Sequence, residues 1–449
     1  MMPRVKSSRA RSYRPSLRLA CLHLAWMVLA SQALAQYSTE TVRHHKVAEQ
    51  DPVAADLFHA ENAIEKKDYV TAEPLLQKVV SAAPDNYAAW FDLGFVYHAQ
   101  GKDDDAIAAY RKSVAAKPDV FESNLNLGLM LAQSHQPDAA QFLRAATTLK
   151  PTANVDEGQS RAWLSLAHVL ESSNPHEALE AYHRAAALQP ADPEPSLSAA
   201  RLLEKSGDYA GAAKECEQAV KRDGSSQEGL TCAAEMQLKS GNYSAAEQTL
   251  QKLADAHPSD LTPRVQLARL YLGQGQNADA LIVLNEVLKL DPANQAAQTD
   301  LALVYFKLGK FSQAEPIYRT LVGKNPNDAD LHARLGQTLL KQLKYADAEH
   351  EFMTAVKLRP TFGEAYGDLA TAADENKDYE LAIRAVNARD QLLPPLPVGY
   401  FMRASAFDHL RDYRQATENY HRFLALANGK YPDQEWQARH RLIAIEPKK

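Results

Sequence analysis

Apolar residues recur along this chain in one pattern, clearest between Tyr87 and Val120, YAAWFDLGFVYHAQGKDDDAIAAYRKSVAAKPDV. Trp90, Leu93, Gly94 and Tyr97 fall at helical spacing on a first predicted helix, and Ala106, Tyr110 and Ser113 on a second. Gly101 ends the first helix and Pro118 closes the second. Small residues at Gly94 and Ala106 let the two helices approach closely, while Trp90, Leu93, Tyr97 and Tyr110 fill the space around that contact. A pair of this size cannot bury its apolar face alone, so neighbours must stack on it.

The pattern returns nearly end to end. Eleven units start near residues 53, 87, 121, 160, 193, 227, 261, 295, 329, 363 and 397, and together span 53–428. Small residues stay in phase on the first helix (Ala60, Gly128, Ala167, Ala200, Ala234, Ala268, Ala302, Gly336, Ala370, Ala404), as they do on the second (Ala72, Ala139, Ala178, Ala212, Ala246, Ala280, Ala314, Ala348, Ala382, Ala416). The connection between Pro151 and Trp163 is longer than the pattern needs, and its segment TANVDEGQ is expected to form a surface loop. Pro74 and Pro316 fall near the start of second helices, where first-turn placement or a mild kink would accommodate them. Residues 429–449 depart from the pattern. There Asp433 is expected to cap a last helix whose Trp436, His440 and Ile443 form a stripe covering the open end of the stack.

The N-terminus differs from everything after it. Arg4, Lys6, Arg9, Arg11, Arg14 and Arg18 precede an apolar run from Leu19 to Ala30, and Ala33-Leu34-Ala35 offers a small-residue cleavage site. Residues 1–35 therefore read as a secretory signal peptide cut between Ala35 and Gln36, with 36–52 a polar lead-in. An uncleaved anchor is the competing reading, but the run is short for a membrane span. Export to the periplasm or beyond the cell is the expectation, with no stable span left after cleavage. Removing six basic residues from 50 leaves 44 against 56 acidic ones, so the net charge of −6 becomes −12. That balance lacks the basic stripe of a nucleic-acid binder.

Candidate chemistry adds little. There is no phosphate-binding glycine loop, nucleophile elbow, zinc-protease helix or dinucleotide fingerprint, so no catalytic, cofactor or metal residues are assigned. The acidic run Asp103-Asp104-Asp105 reads as the inter-helix turn, its acids capping the second helix, and His44-His45 as solvated. Cys216 takes the place held elsewhere by Tyr110, Leu250, Leu284 or Tyr318. It reads as a small core residue with Cys232 as an unrelated thiol, although an oxidising compartment would also permit a disulfide.

Trp90, Leu93-Gly94, Tyr97, Ala106 and Pro118 match the W-x2-L-G-x2-Y…A…P signature, and the chain resembles the tetratricopeptide-repeat superfamily across residues 53 to about 428. The resemblance implies an all-α, right-handed superhelical solenoid with a C-terminal capping helix, whose concave face, lined by first helices, binds a partner protein or peptide. The resemblance goes no further than partner binding; joined to the export signal, it gives the expectation of a non-enzymatic scaffold of the bacterial cell envelope, or alternatively an accessory subunit of an envelope assembly, secretion or polysaccharide-processing enzyme complex. The family's chaperone-tail clamp needs a Lys and an Asn four residues apart on a first helix, where this chain has Leu57/Glu61, Phe91/Phe95 and Leu125/Leu129. In the repeat geometry those places point into the groove, so Leu57, Phe91, Phe95, Leu125, Leu129 and Leu164 are expected to form an apolar peptide-binding stripe, the competing reading being that they pack between adjacent first helices or under the lead-in. Farther along, the same places turn polar through Arg201, Glu235, Arg269 and Gln337.

Overall fold

The computed structural model describes residues 52–446; the expected signal peptide, most of the expected lead-in and the last three residues lie outside it. Twenty-three helices and no strand occur among the described residues. They run as eleven helix-turn-helix pairs and a single last helix, Pro432–Ile445. The chain divides within the helix Glu194–Lys205 into two compact units, residues 52–202 and 203–446.

Each pair closes as its small residues require. Ala60 and Ala72, Gly94 and Ala106, and Gly336 and Ala348 are buried at their helix contacts. A methyl group at Gly94 would sit 2.9 Å from the Tyr110 ring, and one at Gly336 would sit 2.8 Å from the Phe352 ring. Glycine is therefore needed at these two contacts, where the ring leaves no room for a methyl group. In residues 52–202 successive pairs share cores, one joining Leu57, Leu76 and Leu93, another joining Phe91, Tyr110 and Leu127. In residues 203–446 the largest core runs from Ala302 through Tyr318, Leu335 and Phe352 to Val386. Near its end Arg403 is enclosed, stacking on Tyr400 and donating to Asp390 at 2.7 Å and Asn387 at 3.1 Å.

The turn inside ten of the eleven pairs, all but that between Val155–Leu170 and Pro175–Leu188, carries one residue of left-handed backbone. It falls at 34-residue intervals, on Lys67, Gly101 and His135, and again on Gly207, Gly241, Gly275, Gly309, Leu343, Lys377 and Arg411. A second tie closes the turn between pairs. The Trp90 indole N–H donates to the Pro84 carbonyl at 2.8 Å. Asn124, Arg264, Gln298 and His332 reach the carbonyls of Pro118, Pro258, Pro292 and Pro326 in the same way. Trp90 thus holds a loop as well as filling space.

Three expectations need correction. The TANVDEGQ segment is not all loop: from Val155 it becomes the opening turns of the 16-residue helix Val155–Leu170, and Glu122 anchors its start by accepting from the Thr152 N–H and hydroxyl. Pro74 and Pro316 sit in the second turn of their helices, where the carbonyls they leave unpaired belong to exposed Val70 and Ser312. The last helix buries Glu435, Ala438 and Leu442 against the preceding pair instead of the expected stripe. Its Trp436 and Ile443 are 61% and 75% exposed, and Tyr431, not Asp433, is its capping position. Ala438 lies 34 residues after Ala404, so the small residue in register is the one that must make the close helix contact.

Candidate partner-binding surface

The first helices carry the candidate surface, and burial sorts its residues. Leu57, Phe91, Leu125 and Leu164 are at most 5% exposed. Phe91 meets the Tyr110 ring edge-on at 5.7 Å, while Leu125 and Leu164 belong to one core. These four are therefore not a free stripe. A first helix packs on its own partner helix and also on the next repeat, and the two contacts together take up these places. Phe95 and Leu129 remain half-buried; Phe95 stands edge-on to Tyr69 at 6.0 Å and Leu129 packs at the margin of the core.

Polar groups continue the row in residues 52–202. Tyr182 donates its hydroxyl to Glu171 at 2.7 Å, leaving the His168 ring nitrogen, 2.8 Å away, to donate to it. Burial and the Glu171 carboxylate push the Tyr182 phenol far above its ordinary range, so it stays protonated. Arg201 donates to Ser198 at 2.8 Å and pairs with Glu194.

In residues 203–446 the row is zipped from repeat to repeat. Arg269 pairs with Asp300 at 2.7 Å, and Gln337 donates to Asp368 at 2.7 Å. Burial raises the carboxyl pKa of both Asp368 and Glu235 above the usual range. Among the described residues no group of three His, Cys, Asp or Glu is placed to hold a metal, and no helix is long and apolar enough to cross a membrane.

One feature of this surface departs from the sequence reading. Cys216 and Cys232 are not unrelated thiols: they form a disulfide, with Cα atoms 5.6 Å apart and a sequence separation of 16. The signal was the offset. The same step separates Tyr110 from Asn126 and Tyr182 from Ser198, each a second-helix residue hydrogen-bonded to the next first helix. A cysteine at both ends of that contact makes the link covalent.

Profiles of the family described as "Tetratricopeptide repeat" match this chain at residues 63–125, 169–231, 237–289 and 271–338, and a second such profile matches 104–154 and 333–392. Tetratricopeptide repeat protein 37 of Xenopus laevis is 33% identical over 91 residues, a stretch that is 20% of this chain and only 6% of that protein. Among solved structures, MamA from Desulfovibrio magneticus RS-1 aligns at 21% identity and a TM-score of 0.36, covering 37% of this chain and 94% of its own. The Naa15/Naa10 complex bound to HypK-THB aligns at 15% identity and a TM-score of 0.46, covering 84% and 64%. YrrB, titled a TPR protein with an unusual peptide-binding site, aligns at 19% and 0.36, covering 42% and 96%. The paired helices, their small-residue contacts and profile matches over half the chain agree: this chain belongs to the tetratricopeptide-repeat family.

Proposed function

We propose that the chain is a non-enzymatic scaffold of the bacterial cell envelope that holds a partner protein or peptide against its first helices. The observation that carries this reading is the repeat array itself, which takes up residues 52–446 and presents first-helix side chains in register. The anchors are narrower than the sequence suggests. Phe95 and Leu129, both half-buried, offer the apolar contact, while Phe91 and Leu125 are packed in the core.

Export rests on the basic and apolar N-terminus and the Ala33-Leu34-Ala35 site, and the Cys216–Cys232 disulfide supports an oxidising compartment. N-terminal sequencing of the exported protein should begin at Gln36, and an intact arginine-rich start would favour the anchor instead. For the surface, Phe95→Asp with Leu129→Asp should abolish cross-linking to whichever envelope protein the wild type enriches, with the helical circular dichroism retained. Unchanged cross-linking would move the binding face elsewhere.

A further inference from the structure

We propose that the Cys216–Cys232 disulfide is a reversible lock on the joint between the fifth and sixth repeats, opened and closed by thiol–disulfide exchange at the Cys232 sulfur. The two residues differ in access. Cys216 is fully buried in the helix Tyr209–Arg222, whereas Cys232 is half-buried on the first helix Gln227–Lys239, at the register position that Asn126 and Ser198 take in their own repeats. An incoming thiolate therefore meets Cys232, and Cys216 is the leaving and resolving group.

The second helix of this joint is also unusual in the size of its buried side chains. The buried residues of Tyr209–Arg222 are Ala212, Ala213, Cys216 and Ala219. Every other second helix buries at least one larger side chain: Leu76, Tyr110, Leu143, Tyr182, Leu250, Leu284, Tyr318, Phe352, Val386 or Tyr420. Apolar burial scales with side-chain area, so opening the disulfide leaves this second helix only small buried side chains to pack with. Across the joint Val220 also packs beside Gly229, and Gln237 donates to Glu217 at 2.9 Å. A thiol pair still fits, because the equivalent contacts at Tyr110–Asn126 and Tyr182–Ser198 are held without a covalent bond.

The exchange balances as ordinary dithiol chemistry. In opening, a reductant thiolate attacks the Cys232 sulfur, the disulfide breaks, and Cys216 leaves as a thiolate that takes up a proton. A second reductant thiol then resolves the mixed disulfide, freeing the Cys232 thiol and leaving the reductant as a disulfide. Closing runs in reverse, passing two electrons and two protons to a disulfide oxidant.

The test uses the full chain in a Cys21→Ser background, with oxidised glutathione as the probe. Folded Cys216→Ser should form the mixed disulfide at Cys232 at least about tenfold faster than folded Cys232→Ser forms one at Cys216. Equal rates, or faster reaction at Cys216, would overturn the assignment of the accessible sulfur. The wild type supplies an independent measurement should either variant fail to fold. Dithiothreitol should raise amide hydrogen exchange within residues 209–239 while leaving 311–358 unchanged. No change at 209–239, a uniform rise, or two free thiols in protein made in an oxidising compartment would each remove the lock.

Discussion

Leu343 is held at a φ of 61°, in the left-handed region that glycine occupies at the same step of the repeat in Gly309. Its side chain is 68% exposed, so it loses little contact on removal. An L-residue there costs on the order of 1 kcal/mol or more, because its Cβ crowds the following carbonyl. Leu343→Gly should therefore raise the local stability of its repeat by about 1 kcal/mol, read as slower amide exchange across Ala329–Leu358. Faster exchange would show that Leu343 has a contact worth more than the strain. Trp90 makes a second residue-scale point. The repeat pattern marks it by size, but the structure adds direction, since its N–H reaches the Pro84 carbonyl. Trp90→Phe keeps most of the volume and loses the donor, so it should cost about 1 kcal/mol in denaturant unfolding, a loss that an unchanged midpoint would refute.

At the scale of helices, the first-helix row decides what faces outward. Sequence spacing placed Leu57, Phe91, Leu125 and Leu164 on one face but left open whether that face is groove or core, and all four are buried. Two helical contacts overlap on a first helix, and periodicity in a single helix reports only that a position is apolar. The polar end of the row gives a pH prediction. Burial raises the Asp368 pKa in the folded chain, so the folded state holds this proton more tightly than the unfolded state, whose value is about 3.9. Stability from this group is then lost as pH rises from the unfolded value through the folded one, and the cost is fully present at neutral pH. Asp368→Asn can still accept from Gln337. It should melt above the wild type near neutrality, with the difference vanishing in acid below the unfolded value. A difference that persists there would assign the effect to packing.

Across the molecule, stability is assembled locally, because each repeat contacts its neighbours and there is no single core. Ala348→Trp should overpack the contact with Gly336 and cost about 1 to 3 kcal/mol. The resulting rise in amide exchange should stay within Phe311–Glu375 and spare Gln227–Ala256. A cooperative loss across residues 203–446 would contradict nearest-neighbour assembly.

The sequence by itself determined the helical pairs, their number, and the small residues at their contacts, because a 34-residue recurrence of Gly or Ala against bulky residues has one physical solution. It also located the last helix. Tertiary structure alone decided which side chains remain exposed, because burial depends on the helix lying alongside. That is why the apolar stripe reduces to Phe95 and Leu129, and why the last helix buries Ala438 and Leu442 while Trp436 and Ile443 face solvent. The disulfide follows the same rule. Sixteen residues separate Cys216 from Cys232, and only the docking of one repeat on the next brings their Cα atoms to 5.6 Å, close enough for the sulfurs to bond.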